Sequence, residues 1–178
     1  MGEPSLIPPA GRGAPWDIVF LDRDGTLNER VSGYVDDPDR LILLPGAARA
    51  VAALNRAGCR VVVVTNQRGL ATGALTWPQW HAVTRRMEVL LATSQAHVDR
   101  IEMCPHDVGS CGCRKPEPGL FLAALRAAPW ANARRCAMVG DMPSDTSPAL
   151  GLGMRAILIG GEAASLDDAV GILLGPCR

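Results

Sequence analysis

Ile18-Val19-Phe20-Leu21-Asp22-Arg23-Asp24-Gly25-Thr26 is the stretch on which the fold turns. Its first four residues are apolar without interruption, as in strands covered on both faces. Polarity then begins abruptly. In an extended segment Asp22 and Asp24 point the same way, and Gly25 permits a sharp turn after them. Two carboxylates this close repel unless a cation or a shared proton intervenes. Asp-Gly is also an ordinary solvated turn, so the stretch acquires chemical meaning only from its neighbours.

Outward from it, short β-branched runs alternate with longer helical patterns. Strands are expected at Arg60 to Val64, Ile101 to Met103, Cys136 to Val139 and Ala156 to Ile159. Helices are expected from Ala47 to Ala57, closed by Gly58; from Thr76, boxed by Gln79, to Thr93; from Gly119 to Ala128; and from Asp167 to Leu174. A short helix is centred on Ala149 to Gly151. The alternation predicts an α/β fold, a three-layer sandwich with a five-stranded core parallel sheet. Residues 1–15 hold four Pro, three Gly and no periodicity, and read as a flexible leader before one domain over 16–178.

Ligands on such sheets bind beyond the carboxyl ends of the strands. Asp22 and Asp24 follow the first strand there. Thr65-Asn66-Gln67 follows the second, and Gly140-Asp141, with Asp145 four residues on, follows the fourth. Taken singly, each is an ordinary turn or helix start. Arg114-Lys115-Pro116 brings two cations before a helix. Of the 18 basic residues 17 are Arg, so the single Lys marks a position where a compact ammonium is wanted. Four carboxylates would repel a phosphate unless a divalent cation neutralised them, and Mg2+ prefers a few carboxylates, water and phosphate oxygens. One carboxylate could then act as nucleophile and another as proton donor.

The remaining composition narrows the class. The 178 residues are 48% hydrophobic, with 18 basic against 18 acidic residues. That balance argues against nucleic-acid binding, and no apolar run approaches the roughly 20 residues of a membrane helix. No apolar stretch of signal type opens the chain, so a cytoplasmic protein, expected as a monomer, is the reading. Of the six Cys, Cys104, Cys111 and Cys113 join His106 in a C-x-H-x4-C-x-C pattern. Three thiolates and an imidazole complete a closed tetrahedral shell, so a structural Zn2+ in a knuckle over 104–113 is expected, against three unrelated buried thiols beside a surface His. Cys59, Cys136 and Cys177 read as core or tail thiols, and His81 and His97 as surface residues.

The ordered set Asp22-Arg23-Asp24-Gly25-Thr26, Thr65-Asn66-Gln67, Arg114-Lys115-Pro116 and Gly140-Asp141 resembles the haloacid dehalogenase superfamily. The likeness is to its branch of heptose-bisphosphate and histidinol-phosphate phosphatases. The resemblance covers about Asp17 to Ile159 and implies a Rossmann-like core with a small zinc-binding loop and no large cap domain. It implies that Asp22 is the nucleophile, that Asp24 is acid and then base, and that Thr65 and Lys115 hold the phosphoryl oxygens. Mg2+ would be bound by Asp22, the Asp24 carbonyl and Asp141, with Asp145 in support. Asn66 and Arg114 would orient the substrate, a small phosphorylated sugar or amino alcohol. Residues 28–40 and the knuckle would shape access to it. Gly33-Tyr34-Val35 and Gly69 to Gly73 favour a heptose bisphosphate, with Arg68, Arg30 and Arg114 as candidates for its second phosphate. The short His106–Cys111 spacer is closer to the histidinol enzymes, the alternative. A phosphotransferase would normally need a cap to exclude water, and a non-catalytic zinc-bearing interaction module is the less favoured alternative, against which the presence of both Asp22 and Asp24 speaks. One departure is Thr146-Ser147-Pro148 after Asp145, from which a late helix start capped by Ser147 is expected.

Overall fold

The structure, a computed structural model, describes residues 6–175. Five strands, β1 (Ile18–Leu21), β2 (Arg60–Asn66), β3 (Arg100–Cys104), β4 (Cys136–Gly140) and β5 (Arg155–Leu158), form one sheet in the order β3-β2-β1-β4-β5. All neighbours are parallel, and Ile18 of central β1 lies opposite Arg60 on one side and Cys136 on the other. Helices α1 (Ala47–Arg56), α2 (Gly69–Thr72), α3 (Trp77–Ala92), α4 (Gly119–Ala127), α5 (Pro143–Gly151) and α6 (Leu166–Leu174) supply the crossovers and the final element.

The period-two geometry of the strands divides their side chains between two cores. Val19, Leu21, Val61, Val63, Val139 and Ile157 face α1, α3 and α6, against Val51, Leu54, Val83, Met87 and Val170. Ile18, Phe20, Val62, Val64 and Met138 face the other layer, where Leu120, Phe121 and Ala124 of α4 cover them. Phe20 and Phe121 meet edge to face, with centroids 5.1 Å apart. Burial on both faces is why β1 needs no polar residue until it ends. A three-layer Rossmann-like sandwich results, with no large cap domain among the described residues.

Local signals set several boundaries. Gly58, at φ +79°, turns the chain from α1 into β2. Thr76 and Gln79 cap α3 reciprocally, the Gln79 carbonyl accepting from the Thr76 N–H at 2.9 Å. Two expectations change. Helix α5 does not start late at Ser147. It begins at Pro143, where a missing N–H leaves nothing unsatisfied, and the Asp145 carboxylate accepts the Met142 N–H at 3.0 Å. Pro148 then sits inside a nine-residue helix and forfeits a single bond.

The expected leader is the other correction. Residues 1–5 and Cys177 lie outside the described residues, but 6–15 form a strap laid on the domain. Ile7 is buried in the α4-side core, donates to Ala127 O at 2.8 Å and accepts from Trp130 Nε1 at 2.8 Å. Pro9 O accepts from Arg60, and Gly11 donates to Gly58 O at 2.8 Å. A proline-rich stretch is already extended and poor in donors, so one apolar anchor and a few carbonyl contacts suffice to hold it. No helix of the described residues is long and apolar enough to cross a membrane.

Candidate active site

The carboxyl ends of β1, β2 and β4 open into a cavity of about 360 Å3. That lies within the range of roughly 300–1,000 Å3 usual for small-molecule sites. Asp22, Asp24, Thr65, Asn66 and Lys115 line it together, joined on one side by Arg30, Val31 and Tyr34 from the loop after β1. Residues 28–40 therefore do shape access, whereas no Cys or His of the 104–113 segment lines the cavity.

Asp22 prolongs the β1 ladder, donating its N–H to Val139 O at 3.0 Å, which fixes its side chain at the base of the cavity. Lys115 meets it there. The ammonium lies 2.7 Å from Asp22 Oδ1, 2.7 Å from Asp145 Oδ1 and 2.6 Å from Val64 O. An ammonium has three N–H donors, and three acceptors surround this one. Only 4% of the residue is exposed. A planar guanidinium cannot reproduce that tripod, which gives the single Lys of the chain a structural reason. Burial pushes the Asp22 carboxyl up to about 6 despite the pull of Lys115, with Asp145 and Asp24 adding to the rise. Burial works against the charge on Lys115, yet the two carboxylates keep its pKa above the ordinary lysine value.

Asp24 has a different environment. Its oxygens accept from Arg23 Nη2 at 2.9 Å, Asn28 Nδ2 at 3.0 Å and Gln67 Nε2 at 2.9 Å. Burial raises its pKa, but the adjacent Arg23 guanidinium and these hydrogen bonds outweigh that and hold it below the ordinary carboxylate value. Arg23 is itself buried, over the Trp80 ring at 5.0 Å.

Asp141 is not among the lining residues but lies beside them, paired to Arg30. Arg30 Nη2 reaches both of its oxygens, at 2.9 and 2.7 Å, and lies 3.3 Å from the Asp24 carbonyl. Gly25 allows this approach, since a Cβ there would stand 2.1 Å from Asp141 Oδ2 and its φ is +95°. Asp22, Asp141 and Asp145 each bring a carboxylate oxygen within 4.8 Å of the others. The residues fit a divalent cation: acidic oxygens and a main-chain carbonyl converge, and a positive guanidinium already bridges two of them. Asp145 is engaged with Lys115 and Met142, which suits support more than ligation.

The Cys104, His106, Cys111 and Cys113 ligand atoms also lie within 4.8 Å of one another. Their sulfurs are 3.3–3.5 Å apart, unbridged, and His106 Nδ1 is 3.2 Å from Cys113 Sγ. A tetrahedral shell around zinc has edges of about 3.7 Å, so this cluster needs little adjustment to hold one. The segment reaches the cavity indirectly. Cys104 O accepts the Gln67 N–H at 2.8 Å, and Asp107 pairs with Arg68 at 2.5 Å.

Two expected substrate contacts are turned elsewhere. The Asn66 amide is bound both ways to the main chain of Lys115, donating to its carbonyl and accepting its N–H, each at 3.0 Å. Asn66 lines the cavity but chiefly fixes Lys115. Arg114 is not among the lining residues, and its buried Nη1 finds no hydrogen-bond partner among the described residues. Arg68 is likewise outside the lining and paired to Asp107, which leaves Arg30 as the arginine of the three at the cavity. Cys59 and Cys136 are buried in the core, while His81 and His97 are exposed. Sequence reasoning missed Gln67 and Arg23 as site residues. Their only signal was adjacency to Asn66 and Asp24.

Residues 16–153 match the family described as haloacid dehalogenase-like hydrolase. The chain is 40% identical over 135 residues to D-glycero-alpha-D-manno-heptose-1,7-bisphosphate 7-phosphatase of Mycobacterium bovis, covering 75% of this chain and 70% of that one. It is 35% identical over 144 residues to the beta-heptose enzyme of Pseudomonas putida, covering 80% and 81%. The crystal structure of D,D-heptose 1,7-bisphosphate phosphatase from Bordetella bronchiseptica, complexed with magnesium and phosphate, superposes with a TM-score of 0.81 at 32% identity. That alignment covers 88% of this chain and 97% of the other. The chain belongs to the haloacid dehalogenase-like hydrolase family, and within it is a phosphatase.

Proposed function

We propose that this phosphatase removes the 7-phosphate of D-glycero-D-manno-heptose 1,7-bisphosphate, with Asp22 as the nucleophile and Mg2+ as cofactor. The observation that carries the chemistry is the Lys115 ammonium bridging Asp22 and Asp145, at 2.7 Å from each, at the base of the cavity. The relatives in the α and β heptose series support the substrate. Mg2+, held by Asp22, the Asp24 carbonyl and Asp141, would neutralise phosphoryl oxygens beside these carboxylates.

In the first step an Asp22 carboxylate oxygen attacks phosphorus in line. The P–O bond to the sugar breaks, its electron pair passing to the alkoxide, which takes a proton from Asp24. As Asp22 Oδ1 bonds to phosphorus, a Lys115 N–H is released toward a phosphoryl oxygen, and Thr65 donates to another. In the second step Asp24 removes a proton from water, whose oxygen attacks the aspartyl phosphate and frees Asp22 and inorganic phosphate. The hydrogen bonds that keep Asp24 ionised suit this second role. An arriving phosphate dianion raises the carboxyl by like-charge repulsion, which suits the first. A Zn2+ in the Cys104–His106–Cys111–Cys113 cluster would be structural, holding the segment that leads into Lys115.

Phosphate release with Mg2+, measured over both heptose 1,7-bisphosphate anomers, histidinol phosphate and simple sugar phosphates, tests the proposal. A kcat/KM highest for one of the heptose bisphosphates, and lost in Asp22→Asn, is expected. Preference for histidinol phosphate would overturn the substrate, and turnover by Asp22→Asn the nucleophile.

A further inference from the structure

Gln67 is 1% exposed, lines the cavity, and has no role in the steps above. Its amide nitrogen stands 2.9 Å from Thr65 Oγ1 and 2.9 Å from Asp24 Oδ2. An amide NH2 has two hydrogens, and each meets one acceptor here. The main chain of Gln67 is fixed as well, because its N–H donates to the carbonyl of Cys104, where β3 ends and the Cys/His segment begins.

We propose that Gln67 is a positioning residue for phosphoryl transfer, aiming the Thr65 hydroxyl and holding the Asp24 carboxyl at the same phosphoryl site. The first half follows from donor and acceptor arithmetic. A hydroxyl that accepts from Gln67 has its own hydrogen left to give, and among the described residues Thr65 Oγ1 makes no other hydrogen bond. The side chain lines the cavity, so that hydrogen is directed toward an anionic oxygen bound there. The second half is geometric. Arg23 and Asn28 hold Asp24 from its own loop, whereas Gln67 is the contact that ties it to β2 and so to Thr65. Without it, the hydroxyl at the end of β2 and the carboxyl on the loop after β1 would lose the one side chain, among the described residues, that bonds both. Glutamine is the fitting residue type. Glutamate would present an acceptor to Asp24 and draw the Thr65 hydrogen to itself, and asparagine would fall short by a methylene.

This inference rests on the roles proposed for Thr65 and Asp24. Gln67→Leu, the near-isosteric Gln67→Glu, Thr65→Val and the double variant Thr65→Val/Gln67→Leu serve as probes. Each is read by kcat and KM, by calorimetric binding of inorganic phosphate in the presence of Mg2+, and by thermal midpoint. Gln67→Leu is expected to keep the wild-type midpoint and Gln67→Glu, which buries a carboxylate against Asp24, to lower it, and both to lose about 10- to 100-fold in kcat, the scale of one transition-state donor. Phosphate binding should weaken in Gln67→Leu as in Thr65→Val, and the double variant should bind phosphate no worse than Thr65→Val alone. Wild-type kcat and phosphate binding in Gln67→Glu would overturn the proposal. So would additive losses of phosphate binding in the double variant, or a lowered midpoint with kcat unchanged. A wild-type protein that binds phosphate but hydrolyses none of the phosphomonoesters would overturn the proposed function instead, and is thereby told apart.

Discussion

Arg30 and Asp141 pair across the mouth of the cavity, one guanidinium nitrogen at 2.9 and 2.7 Å from the two carboxylate oxygens and 3.3 Å from the Asp24 carbonyl. Those are oxygens that a magnesium ion would use. A cation bound there would displace Arg30 and leave its charge free beside the cavity. Because Arg30 is half exposed, the pair contributes about 0.5–1 kcal/mol. Arg30→Gln is accordingly expected to bind Mg2+ about 2- to 5-fold more tightly by calorimetry, with substrate affinity reduced. Unchanged or weaker Mg2+ binding would contradict this.

Lys115 permits no conservative replacement. Lys115→Met leaves Asp22 and Asp145 buried without a counter-charge, which costs about 3–5 kcal/mol of stability. Lys115→Arg retains charge but not the three-acceptor fit, and should lose most turnover while recovering part of that stability. Denaturant unfolding and phosphate release separate the two effects.

Magnesium binding should depend on pH through Asp22 and Asp141, whose carboxyls burial raises above the ordinary value. Burial pushes the Asp22 carboxyl up to about 6, and a cation would bind the ionised form. Below that pH the proton must leave as the metal enters, so affinity falls as pH drops through about 6 and levels off above it. Calorimetry in buffers of different ionisation enthalpy should register proton release on the acid side only. Equal affinities on both sides would be inconsistent with the raised carboxyl.

Zinc should be found at about one equivalent per chain by elemental analysis, and its chelation should lower the thermal midpoint. Turnover should fall as well, because Cys104 carries Gln67 and the chain from Cys113 runs directly into Lys115. Stoichiometric zinc whose removal left both midpoint and turnover intact would deny the cluster a supporting role.

Gly25→Ala sets a β-carbon 2.1 Å from Asp141 Oδ2 at a φ of +95°. The expected result is a folded protein by circular dichroism with Mg2+ binding weakened at least about tenfold. Normal binding would mean that Asp141 can move aside without consequence.

Much of this was legible in the sequence because it depends on short-range regularities. The unbroken Ile18 to Leu21 run announced a strand with two covered faces, and its alternate residues indeed divide between two cores. Carboxylates and hydroxyls directly after strands announced a rim, since a parallel sheet puts those ends on one edge. What stayed hidden depends on contacts between distant segments. Arg30 meets Asp141 across 111 positions, and the Asn66 amide turns to a backbone 49 positions away. Nothing in either residue type announces its partner. The strap at 6–15 was hidden for another reason. Proline and glycine erase periodicity, which is silent about whether an extended chain is docked.

Docking has a practical corollary for anyone trimming this protein. Cutting back to Trp16 would unroof Trp130 and the end of α4, leave the Ala127 carbonyl without its Ile7 donor, and remove the Pro9 contact from Arg60 at the start of β2. Those losses lie at the end of the sheet opposite the cavity, so a shortened enzyme should turn over normally in the cold and fail early on warming.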